Sequence, residues 1–486
     1  MQAIAAGLWG VAMTCAPLAA RADFLSPEAA QVFTLAPWVT GLGDITDLRF
    51  AADGRLVIVE KSGMVRVGTP QSLVPSGPLP VDSLGEKGLL GVELDPAFAT
   101  NGFIYVYWSV SDVTRETEPD RHRVSRFTVG SDDRIDLGSE RVLVRNLKAS
   151  ANIGGALAIG PDGRLYIGVG DGSCNSGQAI SSWFATCLTN ANGKILRVDL
   201  DGAIPSDNPL VNETSGRACG GACDIDPLAL DGGSPSKDIW AWGLRNPGRM
   251  WFDTSTGNLW VGDMGETASE EINIVKRAKH YGWPFREGAA GDSASRCSEY
   301  TPQSGDCVDP VYFCGRQAGG IDGDCHSITA GRIVDSCTWP TPWRGRYFFG
   351  DKASGEVWAL PVNAQRNAIA GARVNVATLL SGDPVSFQVG PDGALYVAAH
   401  ARSGSIHRIA PISLTACVPL DGGAPGGDAG AGRPDGGGGG ALIVGGHEVP
   451  PRPQPSSACG CRSAPLAGAL IALLALARVW RRARGA

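Results

Sequence analysis

Asp162-Gly163-Arg164-Leu165-Tyr166-Ile167 decides the fold, because the phrase returns along the chain. It recurs as Asp53-Gly54-Arg55-Leu56-Val57-Ile58, as Thr256-Gly257-Asn258-Leu259-Trp260-Val261 and as Asp392-Gly393-Ala394-Leu395-Tyr396-Val397. Each copy joins a tight-turn dipeptide to alternating apolar residues, the pattern of a hairpin strand. A second phrase follows several of them: Ser62-Gly63-Met64-Val65-Arg66-Val67, Asn192-Gly193-Lys194-Ile195-Leu196-Arg197-Val198, Ser354-Gly355-Glu356-Val357-Trp358 and Ser403-Gly404-Ser405-Ile406-His407-Arg408-Ile409. Together the phrases describe repeated antiparallel sheets. Radial repetition of such sheets makes a β-propeller, which hides sheet edges by packing blade on blade. At about 40–50 residues per blade plus long loops, residues 35–412 accommodate six blades. The expected fold is all-β, a six-bladed β-propeller of four-stranded antiparallel sheets. A β-sandwich array also forms hairpins, but does not require one phrase from end to end. No stretch of the body shows sustained helical periodicity.

Composition agrees. The 486 residues are 43% hydrophobic and 19% charged, which excludes a fully disordered chain. The 67 glycines and 32 prolines suit a turn-rich β protein rather than a helical one. Net charge is −7, and the body carries no basic stripe. Nucleic acid is therefore not an expected partner.

The two ends read as addresses. Residues 1–22 carry an apolar stretch and the small-residue site Ala20-Arg21-Ala22, the shape of a secretory signal peptide. Residues 419–457 form a Gly- and Pro-rich linker that cannot bury enough apolar surface to order itself. Residues 459–486 hold Cys459-Gly460-Cys461, an apolar run from Ala464 to Ala477, and Arg478, Arg481, Arg482 and Arg484. As a short helix the run spans about 21 Å, less than the roughly 30 Å hydrocarbon core. The segment resembles the myxobacterial type of C-terminal sorting tail; an ordinary tail anchor is the alternative. The sorting-tail resemblance implies an exported protein held at the cell surface or outer membrane, or periplasmic, touching membrane only through this segment.

Of 13 cysteines, Cys15 lies in the leader, and Cys459 and Cys461 in the tail. The rest are Cys174, Cys187, Cys219, Cys223, Cys297, Cys307, Cys314, Cys325, Cys337 and Cys417, an even set that suggests disulfides in an exported chain. Local bridges pinning loops are expected, with connectivity left open. Cys219-Gly220-Gly221-Ala222-Cys223 has no matching Cys or His pair at metal-finger spacing.

The segment richest in chemistry runs from Asp238 to Pro284. In it, Arg245 precedes Asn246-Pro247, expected to halt regular strand pairing. A guanidinium there can fork onto a carboxylate or a quinone oxygen, although a structural ion pair is the commoner use of such an arginine. Gly265 and Glu266 form a turn whose carbonyls could face a hard cation, with Glu270 and Glu271 as further oxygen donors. A solvated acidic turn is the plainer reading.

Five phrases in order, GEKGLLGVELDPAFATNGFIYVYW (85–108), GKILRVDLDGAIPSDNP (193–209), WGLRNPGRMWFD (242–253), GDMGETASEEIN (262–273) and YGWP (281–284), resemble the glucose/sorbosone dehydrogenase family. The resemblance covers about residues 40–410. It implies a six-bladed propeller holding pyrroloquinoline quinone (PQQ) over a calcium ion, and oxidation of a small sugar at its anomeric carbon. Arg245 and Asn246 match the family's cofactor-side pair. Gly265 and Glu266 fall at its calcium turn, Glu86 where a polar side chain lines the site, and Lys352 one residue from a family lysine. The usual base, a histidine, is replaced by Asn152, which cannot accept a proton. Pro384–Phe387 lacks the arginines of the glucose dehydrogenases. His326 and His400 are candidates for a substitute base, although structural roles are commoner for such histidines.

The sequence thus supports a PQQ- and calcium-dependent sugar dehydrogenase with an unidentified electron acceptor. The alternative is a catalytically degenerate propeller that binds a carbohydrate or a protein. A third and weaker reading, a metal-dependent lactone hydrolase, needs several carboxylate or Asn ligands converging on the channel.

Overall fold

In a computed structural model of the chain, the described residues are 22–413, except 112–120, 174–182, 215–232, 289, 292–294, 301–304 and 317–324. They belong to the first of two compact units, Met1–Pro419; the second, Leu420–Ala486, lies outside them. The leader through residue 21, the linker, the C-terminal tail and Cys174, Cys219, Cys223 and Cys417 are therefore also outside the described residues.

Six antiparallel sheets form the propeller. Blade 1 runs Ile45–Phe50, Leu56–Glu60, Val65–Thr69 and Ser72–Ser76. Blade 2 runs Leu89–Leu94, Phe103–Ser109, Arg121–Val129 and Ile135–Lys148. Blade 3 is Gly154–Ile159, Leu165–Val169, Lys194–Val198 and Ile239–Trp242. Blade 4 is Pro247–Phe252, Leu259–Asp263, Ser269–Val275 and Tyr312–Gly315. Blade 5 is Ile328–Ile333, Tyr347–Asp351, Glu356–Leu360 and Val374–Thr378. Blade 6 takes Asp383–Val389, Leu395–His400 and Gly404–Pro411, and its outer strand is Phe33–Leu42 from the start of the chain. The register from Phe33 opposite Pro411 to Leu42 opposite Gly404 closes the ring with backbone hydrogen bonds. One departure from four strands is Phe24–Leu25, which adds to the outer edge of blade 5.

The recurrent phrase has a local cause. Asp53, Asp162 and Asp392 each accept, through the side chain, the N–H two residues on. The glycine between, at φ 72–89° in these three turns, occupies the left-handed region that favours glycine. These turns lead the innermost strand of a blade into its second. In blades 3 and 6 the aspartate also binds a tyrosine and an arginine of the following strands: Tyr166 and Arg197, then Tyr396 and Arg408.

The core lies between blades, where apolar faces of neighbouring sheets meet. Each fully buried Val, Leu or Ile there contributes about 1.5–3 kcal/mol of transfer free energy. The innermost strands pack in a closed circle around a channel, blade 6 against blade 1 completing it. Close approach requires glycine at Gly91, where a Cβ would lie 2.1 Å from the Gly155 carbonyl oxygen.

Two disulfides are local, as expected: Cys297–Cys307 and Cys314–Cys325, separated by 10 and 11 residues. Cys187 and Cys337 are also disulfide-bonded. No described helix is long and apolar enough to cross a membrane.

Candidate active site

All six innermost strands start at one end of the channel. A cavity of about 370 Å³ opens there, lined by Thr46, Lys61, Glu86, Asn246, Arg249, Lys352, Asp383 and His400, among others. Four of the residues singled out from the sequence, Glu86, Asn246, Lys352 and His400, thus meet at one mouth.

A repeated acid builds this mouth. The second strand of blades 1, 4 and 5 ends in Glu60, Asp263 and Asp351. Each carboxylate accepts N–H groups of the loop entering its own blade: Glu60 from Gly43, Asp263 from Arg245 and Asn246, and Asp351 from His326 and Ser327. The acid thereby ties the loop entering the first strand to the end of the second. Lys61 and Lys352, each one residue past its acid, reach the cavity from equivalent positions of blades 1 and 5.

Lys352 makes no side-chain hydrogen bond with the described residues. Burial and the nearby Arg249 guanidinium bring its pKa down to about 8, against the attraction of Glu86 and Asp383. Arg249, itself buried, donates to the carbonyls of Val385, Gly248 and Thr46. Asn246 accepts the Gly154 N–H at 2.9 Å through Oδ1.

Asn152 does not act as a base. Its backbone N–H donates to Glu86 Oε2 at 2.8 Å, and its side-chain amide donates to Asp171 Oδ1 at 3.0 Å. The other Asp171 oxygen accepts Trp283 Nε1 at 2.8 Å. Burial raises the Asp171 carboxyl above the ordinary range. Asn152 is therefore a positioning residue for Glu86 and the channel rim.

His400, one of the two histidines named as substitute bases, lines the cavity. Its Nδ1 lies 2.8 Å from the Ile45 carbonyl oxygen, which can only accept, so Nδ1 carries the proton. Its Nε2 has no hydrogen-bond partner among the described residues. His326 is not among the lining residues; its neighbour Ser327 is. His122 is buried between Ser109 and the Ala149 carbonyl. His280 is buried against Thr186, its pKa pushed down to about 3 by desolvation and the nearby Lys194. His407 bonds Ser405.

Three expectations are corrected. Pro247 does not halt pairing: it opens the innermost strand of blade 4 and pairs with Asp263, a position where its missing N–H is tolerated. Arg245 does not line the cavity. Its Nη1 donates to Met264 O at 3.0 Å and Gly265 O at 2.6 Å, and its Nη2 pairs with Glu266. The turn at Gly265 and Glu266 is thus beside Arg245, but its carbonyls face guanidinium rather than open space. Glu270 and Glu271 are buried strand residues rather than a solvated acidic turn. Glu270 pairs with Arg316, and burial raises its pKa to about 7. Glu271 accepts from Asn273 and Gly288, and burial together with the Asp263 charge raises its carboxyl too. Among the described residues no group of three or more His, Cys, Asp or Glu side chains is arranged to hold a metal ion.

Sequence reasoning missed Lys61, Arg249 and Asp383. The pairs Glu60-Lys61 and Asp351-Lys352, both just before a Ser-Gly turn, were the available signal for Lys61. Arg249 stood out as a charge within an otherwise apolar strand.

The Glucose / Sorbosone dehydrogenase family profile matches residues 43–408, which spans all six blades. The chain belongs to this family. Among relatives of the family, aldose sugar dehydrogenase YliI of Escherichia coli is 26% identical over 377 residues, 75% of this chain and 89% of that protein. Quinoprotein glucose dehydrogenase B of Acinetobacter calcoaceticus is 28% identical over 236 residues, 45% of this chain and 44% of that protein. The PQQ-bound aldose sugar dehydrogenase of Streptomyces coelicolor superposes with a TM-score of 0.56 at 19% identity, covering 78% of this chain and 98% of that one, which shows the shared fold.

Proposed function

We propose that this family member oxidises an aldose or a related sugar with PQQ as the electron acceptor, at the mouth where the innermost strands begin. The observation that carries the reading is the meeting there of Lys352, with no hydrogen-bond partner among the described residues, and His400, with a free basic nitrogen. An unanswered, desolvated ammonium fits an anionic cofactor. PQQ, when bound, supplies a quinone able to take a hydride from the anomeric carbon. Lys352 and Lys61 provide cationic charge for its carboxylates, and Asn246 and Glu86 shape the floor. His400 Nε2 takes the hydroxyl proton of the sugar, the step that Asn152 cannot perform.

Calcium is left out of this reading. The turn expected to hold it, at Gly265 and Glu266, is already engaged by Arg245: Gly265 O accepts from its Nη1 and the Glu266 carboxylate pairs with its Nη2. That set does not fit the ion as the side chains stand.

The leader and tail support export and retention at the cell surface, with the linker as a spacer. The natural electron acceptor is a separate partner. One observation favours the second reading, a propeller that binds carbohydrate or protein without turnover: Asn152 stands where the family histidine belongs. The human Hedgehog-interacting protein, 28% identical over 247 residues and covered over 32% of its length, is a relative with such a name.

Titration of the purified protein with PQQ by absorbance, followed by assay of aldoses with an artificial acceptor, separates the readings. Binding with turnover is the expected result. Tight binding without turnover favours the second reading, and no binding overturns the first.

A further inference from the structure

Four oxygen acceptors gather around the 264–270 turn of blade 4: the carbonyls of Met264 and Gly265 and the carboxylates of Glu266 and Glu270. Two guanidiniums answer all four. Arg245 bonds Met264 O, Gly265 O and Glu266. Arg316 donates to Gly265 O at 3.0 Å and pairs with Glu270, whose second oxygen accepts the Ile328 N–H at 2.9 Å. The opposite side of the turn is held as firmly. Glu287 accepts the N–H groups of Glu266, Thr267 and Ala268, and a Cβ on Gly265 would lie 1.8 Å from the Ser269 carbonyl oxygen. The Trp283 ring stands 5.6 Å from the Arg245 guanidinium.

We infer that Arg245 and Arg316 take the place of a divalent ion at this turn, so that the chain binds its cofactor without calcium. Calcium needs about six to eight oxygens at roughly 2.3–2.6 Å around one point. Here Gly265 O already accepts two N–H donors, and each carboxylate is paired. Two guanidiniums carry the charge of one divalent cation and spread it over a planar array of directed donors, which a point charge does not offer. The two glutamates balance that charge, and the fork of Arg245 fixes the turn from the carbonyl side as Glu287 does from the amide side. The statement about calcium stands on this turn alone; its extension to the cofactor rests on the function proposed above.

The test uses the full purified chain freed of metal with EGTA. Calorimetric titration with calcium chloride is expected to show no stoichiometric uptake, and PQQ is expected to bind in EGTA within about twofold of its affinity in millimolar calcium. One calcium per chain at micromolar affinity overturns the inference, as does a loss of about tenfold or more in PQQ affinity when calcium is withdrawn. If PQQ binds in neither buffer, the proposed function fails while the calcium titration still decides this inference. Arg316→Gln removes one of the two charges, leaves Gly265 O to Arg245 alone and frees one oxygen of Glu270. The variant is expected to gain calcium uptake, which thermal melts with and without calcium read independently of activity. Arg316→Lys, which keeps the charge without the fork, is expected to stay insensitive to calcium; calcium uptake by Arg316→Lys equal to that of Arg316→Gln overturns the charge argument.

Discussion

The two mouths of the channel use charge differently. Where the innermost strands end, a cavity of about 970 Å³ is lined by Arg49, Glu93, Asp253, Arg332, Asp335 and Asp392, among others. It is the larger of the two, yet its acids are committed. Glu93 pairs with Arg49 at 3.0 Å, Asp253 and Asp335 with Arg366 at 3.0 and 2.5 Å, and Asp392 with Arg408 at 2.7 Å. Arg332 donates to Phe387 O and the Gln388 side chain. At the smaller mouth, by contrast, Lys352 and one nitrogen of His400 have no hydrogen-bond partner among the described residues. On the function proposed above, unspent valence rather than size marks the working end. At the far mouth Arg49–Glu93 and Arg366–Asp253 tie one blade to its neighbour, while Arg366–Asp335 and Arg408–Asp392 brace a single blade, and their work is stability.

That contrast predicts the order of effects. His400→Ala is expected to cut turnover by about 10²–10⁴-fold, the usual contribution of a positioned base. PQQ affinity should hardly change, and a rate that survives the substitution would break the assignment. Lys352→Gln comes next. A charge-assisted contact to a carboxylate is worth about 1.5–3 kcal/mol, so PQQ binding should weaken by about 10- to 100-fold. Because burial and Arg249 set the Lys352 pKa at about 8, its ammonium loses the proton as pH rises through that value. Wild-type affinity should therefore fall above pH 8, and the variant should lose that dependence, as absorbance titrations across pH would read.

The far mouth should respond in stability alone. Asp253→Ala leaves the Ser255 and Thr256 hydroxyls without this acceptor and leaves Arg366 only its Asp335 and Ser255 contacts. Urea unfolding should register a loss on the order of 1–3 kcal/mol, with PQQ affinity unchanged. A drop in affinity would merge the two ends into one functional unit.

The smallest effect concerns Glu271, whose carboxyl is raised by burial and by Asp263. Above its ordinary value of 4.5 the folded chain keeps a proton that the unfolded chain has lost, so stability falls as pH climbs from there toward neutrality. Glu271→Gln, an isosteric neutral amide, should flatten that slope by at most about 1.4 kcal/mol per pH unit in melts between pH 5 and 8. An unchanged slope would assign the proton to another group.

Much of the fold was legible because it is written locally. An Asp-Gly turn and the alternating strand after it need only neighbouring residues to form, so the phrase at Asp162 announces a blade by itself. The site was legible in part. Glu86, Asn246 and Lys352 sit in phrases whose spacing along the chain survives in the ring. Arg245 did not behave as its phrase suggested, because its partners Met264, Gly265 and Glu266 lie a strand away, and Arg316, which shares the Gly265 carbonyl, comes from the far end of the same blade. His400 was one of several histidines in the sequence; only its distance from the Ile45 carbonyl, across the blade 6 to blade 1 junction, left its second nitrogen free.

From the sequence alone came the repeated hairpin, the number of blades, the family and the presence of a polar cluster, since each depends on short-range pattern. Tertiary structure alone decided which mouth holds open valences, that Asn152 braces Glu86 and that guanidiniums occupy the 264–270 turn. Those outcomes depend on ring closure, which brings residues hundreds of positions apart within hydrogen-bond reach, and on burial, which sets their charge.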